Sequence, residues 1–183
     1  RAFEPVAAAV SALAPKLEIV RPGLCVVPTR GPSRYFGGDE ALVERVVAAV
    51  ESVVPAARPC AGVADGVFAA QLAARSGVVV ERGGSRRFLA PFPVSVLDRP
   101  ELSDLLTRLG IRSLGDFAAL ATADVVGRFG ADGLAAHRLA RGLDGRRINA
   151  RVPAPDFAVE AEIDPPAERV DAAAFVARGL AEA

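Results

Sequence analysis

The chain contains no methionine and no tryptophan, a single tyrosine and a single histidine, two cysteines and one lysine among its 183 residues. Each scarcity excludes something. Cys25 and Cys60 have no CxxC spacing and no histidines around them, so they form neither a zinc site nor a disulfide framework and read as reduced, buried thiols. With His137 the only imidazole, a histidine metal centre or a Ser–His or Cys–His relay has too few partners. Its position beside Arg138 places it on a helix face, where it is a candidate for touching phosphate. Gly83-Gly84-Ser85 lacks the G-x-x-x-x-G-K-[ST] pattern and no G-x-G-x-x-G follows a strand, so neither loop type supports nucleotide binding. Apolar stretches such as Val78–Val80 fall far short of the roughly 20 residues a membrane span needs, and no basic-then-apolar leader opens the chain. The expectation is a cytoplasmic protein with no membrane partner. The absence of methionine, with Arg1 first, reads as a fragment of a longer gene product.

What is present is apolar content and arginine. The chain is 51% hydrophobic and 24% charged, enough to bury a core in one or two domains. Its formal net charge is zero, but the charge is unevenly distributed. From Arg82 to Arg151 there are 12 arginines against seven acidic residues, a net +5 that the rest of the chain must offset. Such asymmetry points to an anionic partner for the later half. Arginine suits bidentate phosphate contacts, although a GC-rich genome would give the same bias.

Periodicity gives the organisation. Phe3, Val6, Val10 and Leu13 predict a helix over 2–13. Leu17, Ile19 and Leu24–Val27 predict a strand over 17–28, interrupted by Pro22-Gly23 as a bulge. Gly31, Pro32, Gly37 and Gly38 read as turns, and Asp39 as the cap of a helix from Glu40 to about Val53. Short strands are expected at 60–64 and 78–80, flanking a helix over 65–75, which together make an α/β sheet layer. After Pro91, Pro93 and Pro100 the pattern becomes short helices at 101–109, 114–120, 123–129 and 132–142. Leu143 to Asp156 reads as a linker, followed by an alternating strand over 157–163 and a helix from about Val170. The expected domains are 1–97, an α/β (α+β) layer; 98–144, all-α; a linker at 145–156; and 157–183, the truncated start of an α+β domain.

The strongest motif is Leu106-Thr107-Arg108-Leu109-Gly110-Ile111 followed by Leu114-Gly115-Asp116-Phe117, a helix-hairpin-helix pattern. Gly110 permits the tight turn, and the amides there and at the next helix start are placed to hold a phosphate without reading sequence. A looser hairpin spans Phe129-Gly130-Ala131-Asp132-Gly133. An ordinary αα-hairpin with a glycine cap has the same spacing; the flanking Arg108, Arg112, Arg128, Arg138 and Arg141 favour DNA. The candidate DNA-binding residues are therefore these arginines with Gly110, Ile111, Gly130 and Gly133. Asp39-Glu40, the obvious paired carboxylates for two-metal chemistry, sit at a helix start where a capping role explains them.

The order of these pieces resembles the Y-family (UmuC-like) translesion DNA polymerases, most closely the ImuB branch, which is regarded as catalytically inactive. Gly62-Val63-Ala64-Asp65-Gly66, continuing to Ala74, is similar to the family's "GIA..K..AK.A" segment between a palm strand and its helix. Phe88-Leu89-Ala90-Pro91-Phe92-Pro93-Val94 is similar to the approach to the thumb. Leu109 to Ala118, Arg128-Phe129-Gly130 and Ala140-Arg141-Gly142-Leu143-Asp144 follow the thumb itself. The resemblance implies a palm-like layer, a helix-hairpin-helix thumb and the start of a DNA-gripping little finger from Phe157.

Active members carry a "SIDEA" strand whose Asp and Glu serve the metal site; here the place is Arg21-Pro22-Gly23-Leu24-Cys25, with Gly23 and Leu24 in the acidic positions. The lysine expected near Gly66-Val67 is missing too. Without those carboxylates the charge developing in phosphoryl transfer stays unneutralised, so no catalytic residues, metal or cofactor are expected. Arg30-Gly31-Pro32 with Tyr35-Phe36-Gly37-Gly38 matches the ImuB pattern. The resemblance implies a non-catalytic, nucleoid-associated adaptor in mutagenic DNA repair. It would hold DNA by its backbone and link the sliding clamp, a RecA-like ImuA protein and an error-prone C-family DNA polymerase. Two alternatives remain open: an active translesion polymerase with metal ligands elsewhere, such as Asp39 or Glu40, and a protein-interaction platform without DNA contact.

Overall fold

The three- and four-residue spacing of Val6, Val10 and Leu13 becomes α1 (Glu4–Leu13), with Ala7 and Val10 buried. In this computed structural model residues 3–149 are described, and beyond them only Ala174 and Arg178, both helical. Residues 3–149 fall in one compact unit, Arg1–Val152; a second unit is Pro153–Ala183. The strand expected at 157–163 lies outside the described residues, and the helix expected from about Val170 is described only at those two positions.

The stretch expected as one interrupted strand is a hairpin: β1 (Glu18–Arg21) pairs antiparallel with β2 (Leu24–Val26). Pro22-Gly23 is the turn rather than a bulge, with Gly23 at φ 85°. Proline presets the turn's first dihedral and glycine accepts the positive one. The turn expected around Gly31-Pro32 is instead a helix, α2 (Arg30–Phe36). Pro32 sits in its first turn, where the missing N–H has no intrahelical partner to lose. Then α3 (Asp39–Val53) follows directly, with Gly38 as its N-cap. Asp39 does not cap it; its Oδ1 accepts a hydrogen bond from the Ser33 hydroxyl. α1 and α2 both pack on α3, and Ala7, Val10, Leu17 and Val50 form a first small core.

The sheet layer is thinner than the sequence predicts. Residues 60–64 and 78–80 contribute one parallel bridge, Val63 with Val79, secured by Val63 N–H to Val78 O (3.2 Å) and Val80 N–H to Val63 O (2.8 Å). Neither segment joins the β1–β2 pair. Among the described residues the fold is therefore mostly helical, with eight α-helices and one two-stranded sheet. None of these helices is long and apolar enough to cross a membrane.

α4 (Val67–Ser76) feeds Ala69 and Leu72 into a second, larger core. Gly83-Gly84 turns the chain into a short helix that the spacing of apolar residues does not predict, α5 (Ser85–Leu89). Buried Ser85 anchors it: its Oγ accepts the Asp65 N–H at 2.9 Å. After a 3-10 turn at Val94–Leu97 come α6 (Pro100–Arg108), α7 (Leu114–Ala119) and α8 (Thr122–Ala140). α8 is the two expected helices run together across a break at Gly130 (φ 64°, ψ −156°). Leu89, Leu106, Leu114, Phe117 and Val125 are fully buried in this second core. Truncating any of the leucines to alanine costs about 2–5 kcal/mol through reduced burial and the cavity left behind.

Candidate nucleic-acid interface

α6 ends at Arg108 with Leu109 as its C-cap, and Gly110 (φ 82°) turns the chain back. A side chain at that φ would crowd its own carbonyl, which is why glycine stands there. The turn closes by two hydrogen bonds, Gly110 N–H to Thr107 O (3.0 Å) and Ile111 N–H to Leu106 O (2.9 Å), while Ile111 packs on the core that holds Leu106. This is a Schellman cap. The Gly110 and Ile111 amides that the motif suggested for phosphate therefore serve the helix end instead. Between Ile111 and α7, the Arg112 amide has no protein acceptor among the described residues. α7 starts with a reciprocal capping box between Ser113 and Asp116, worth on the order of 1 kcal/mol. Arg112 O accepts the Val94 N–H (3.0 Å) and Phe92 O accepts the Leu114 N–H (2.8 Å), so the hairpin is held by backbone on both sides.

The second hairpin, at the α8 break, exposes Gly130 but buries Gly133 against the Phe129 side chain, where a Cβ would lie 2.2 Å from Phe129 Cβ. Gly133 thus shapes the helix and does not face a ligand. A second Schellman cap closes α8, with Gly142 N–H to Leu139 O (2.9 Å) and Leu143 N–H to Arg138 O (2.8 Å).

Arg108, Arg112, Arg128 and Arg138 are exposed, and none makes an ion pair among the described residues. The ion pairs there belong to Arg99 with Asp132, at 2.8 Å, and Arg146 with Glu18. Arg141 is half-buried, its guanidinium 3.5 Å from Thr122 Oγ1 and close enough to His137 to disfavour a second positive charge. Exposed Leu105 and Val126 sit on α6 and α8 with Arg108, Arg128 and Arg138, and exposed Leu109 lies with Arg112 in the turn after α6.

In the other half, Gly23 and Leu24 form the β-hairpin turn and the first residue of β2. With Cys25 they line an apolar cavity of about 900 Å³ among α1, β2, α3 and α4. Asp144 is the one acidic residue in that lining, and its Oδ2 accepts the Phe68 N–H at 2.8 Å, capping α4 from 76 residues further along the sequence. The segment read as a linker is tied down through Asn149. Its amide donates to Glu18 Oε2 (2.7 Å), and Arg146 bonds the other oxygen of the same carboxylate.

His137 is not on an accessible helix face. It is fully buried edge-to-face with Phe117 (5.3 Å between centroids), and neither ring nitrogen has a hydrogen-bond partner. Burial and the positive charge of Arg141 hold its pKa below the usual histidine value, against an opposing pull from the Leu120 and Ala118 carbonyls. Its place was legible: Gly133, Ala136, His137 and Ala140 share one buried stripe of α8. The cysteines also differ from expectation, with Cys25 half-buried and Cys60 exposed. Burial raises the Cys25 thiol pKa. No protein-family model matches the sequence.

Proposed function

We propose that this chain is a non-catalytic, Y-family-like DNA-binding adaptor of mutagenic translesion repair. In this reading residues 1–97 are a palm-like scaffold, 98–144 a thumb-like pair of helix hairpins, and the chain from 157 the start of a little finger. The observation that carries it is the set of four exposed arginines without ionic partners, Arg108, Arg112, Arg128 and Arg138, on two glycine-broken helix pairs. Free guanidiniums meet phosphate bidentately without reading bases. Gly23 and Leu24 in the positions of the acidic pair support the non-catalytic half of the reading. So does the cavity beside them, whose one carboxylate already caps α4. The sliding clamp, a RecA-like ImuA protein and a C-family polymerase are the partners the resemblance implies.

The test is duplex binding by fluorescence anisotropy across a salt series. We expect sequence-independent binding whose log K falls linearly with log salt, with a slope reduced by about 1 for each of Arg108→Ala, Arg112→Ala and Arg128→Ala. No binding at low salt, or wild-type binding by the triple variant, removes DNA from the proposal. Primer extension with Mg²⁺ or Mn²⁺ should give no product. The exposed Leu105, Leu109 and Val126 favour a second reading, a protein-docking face on the same helix hairpins, which nuclease-resistant pull-down by this chain would support.

A further inference from the structure

A second cluster of arginines lies outside the helix hairpins. Arg30 and Arg34, one turn apart on α2, meet Arg82 from the loop before α5 around an open depression of about 340 Å³. All three are exposed and none has an ionic partner among the described residues. Thr29 and Ser33 add hydroxyls, and the only carboxylate in the lining, Asp39, is engaged by the Ser33 hydroxyl. The start of α3 opens here too, but Asp39 and Glu40 already complement its dipole, so the guanidiniums carry the attraction. Three uncompensated guanidiniums select phosphate, which takes several fork-shaped contacts at once. The depression is shallow and has no aromatic lining, so it offers no slot for the base of a free nucleotide. Immediately after Arg34, Tyr35 projects from α2 with 84% of its surface exposed, the most exposed large apolar side chain among the described residues. Its ring is steadied edge-to-face by Phe36 (4.9 Å), and Arg45 covers Phe36 at 5.0 Å. Guanidiniums on one side of α2 and, about 100° further round the same helix, a supported and uncovered aromatic ring are the equipment of a single-strand site that follows the helix surface: charge tracks the backbone and the ring takes a base.

We propose that α2 and the Arg82 loop bind single-stranded nucleic acid, with Arg30, Arg34 and Arg82 on successive phosphates and Tyr35 stacked on a base. This goes beyond the duplex contact proposed above and uses none of its residues. The test is anisotropy with a labelled 15-nucleotide oligo-dT and the whole chain, with the thermal midpoint of each variant as a folding control. Wild type should bind with a log–log salt slope that falls by about 2 in Arg30→Ala/Arg34→Ala/Arg82→Ala, since each neutralised phosphate of a single strand contributes roughly 0.7 to that slope. Tyr35→Ala should weaken binding by about 5- to 100-fold while Tyr35→Phe holds it, since stacking needs the ring and not the hydroxyl. Should the triple variant fail to fold, Arg82→Ala and Tyr35→Ala alone carry the test. The inference is overturned if wild type does not bind oligo-dT, if these variants bind as wild type does, or if Tyr35→Ala changes nothing while the arginine variant fails. The last outcome means a bare anion patch. Displacement of the oligonucleotide by tripolyphosphate at equal phosphate concentration overturns it in favour of a small polyanion. Stacking of an unpaired base on Tyr35 has no counterpart in duplex binding, so failure here and failure of the duplex proposal are read on separate measurements.

Discussion

His137 gives the sharpest test of how the second core is built, because it is the only histidine in the chain. Buried among apolar side chains and near the positive charge of Arg141, it has a pKa below its unfolded value. The sign follows: a depressed base binds its proton more readily when unfolded, so its contribution is fully present above about pH 6.5 and is lost as pH falls below that value. One proton can change stability by at most about 1.4 kcal/mol per pH unit. Between pH 7.5 and 5.5 the wild-type midpoint should therefore fall, because the unfolded chain takes up the proton first. His137→Leu should flatten that dependence, since carboxylates titrate lower and thiols higher. The measurement is thermal unfolding by circular dichroism at half-unit pH steps. A slope that survives in His137→Leu, or a flat wild type, refutes this account of the buried imidazole.

Three further outcomes are expected. Asp144→Ala removes the cap on Phe68 N–H and should cost about 1 kcal/mol, near 2–4 °C, most of it retained by Asp144→Asn; an unchanged midpoint in thermal unfolding would falsify the capping role. Gly62→Ala puts a Cβ 2.4 Å from the Ala73 carbonyl carbon, which is backbone and cannot step aside, so urea unfolding should show a loss of at least about 1–3 kcal/mol. Exposed Cys60 should react with an aromatic disulfide at pH 8 well before Cys25, whose thiol is half-buried and has a raised pKa; equal rates by mass spectrometry would contradict the fold around β2.

What could be read from the sequence followed the range of the interaction. α1, α3, α6 and α7 have their own apolar spacing, and their bounds lie within two residues of those predicted. Even the division of α8 was legible, because Gly130 breaks the spacing where the backbone leaves helical dihedrals. Misreadings arose where punctuation residues served helices: Gly31-Pro32 opens α2, and Gly83-Gly84 hides α5. The strand readings failed differently. The apolar runs at 60–64 and 78–80 have a composition that suits strands, but a sheet needs partners that local sequence does not count. For the candidate interface, the arginines and Gly110 could be named from spacing. The use of the Gly110 and Ile111 amides by the α6 cap could not, since it depends on where the Leu106 and Thr107 carbonyls end up.

The Asp144 contact has a temporal consequence. α4 begins at Val67, yet the carboxylate that satisfies its first turn comes 76 residues after Phe68. On a ribosome adding about 5–20 residues per second, that turn waits several seconds with its amide open to solvent. Any nascent chain halted before position 144 lacks this cap on the helix entry. The entry to this helix is thus among the last parts of residues 3–149 to be completed during synthesis, after the partners of its buried face have been made.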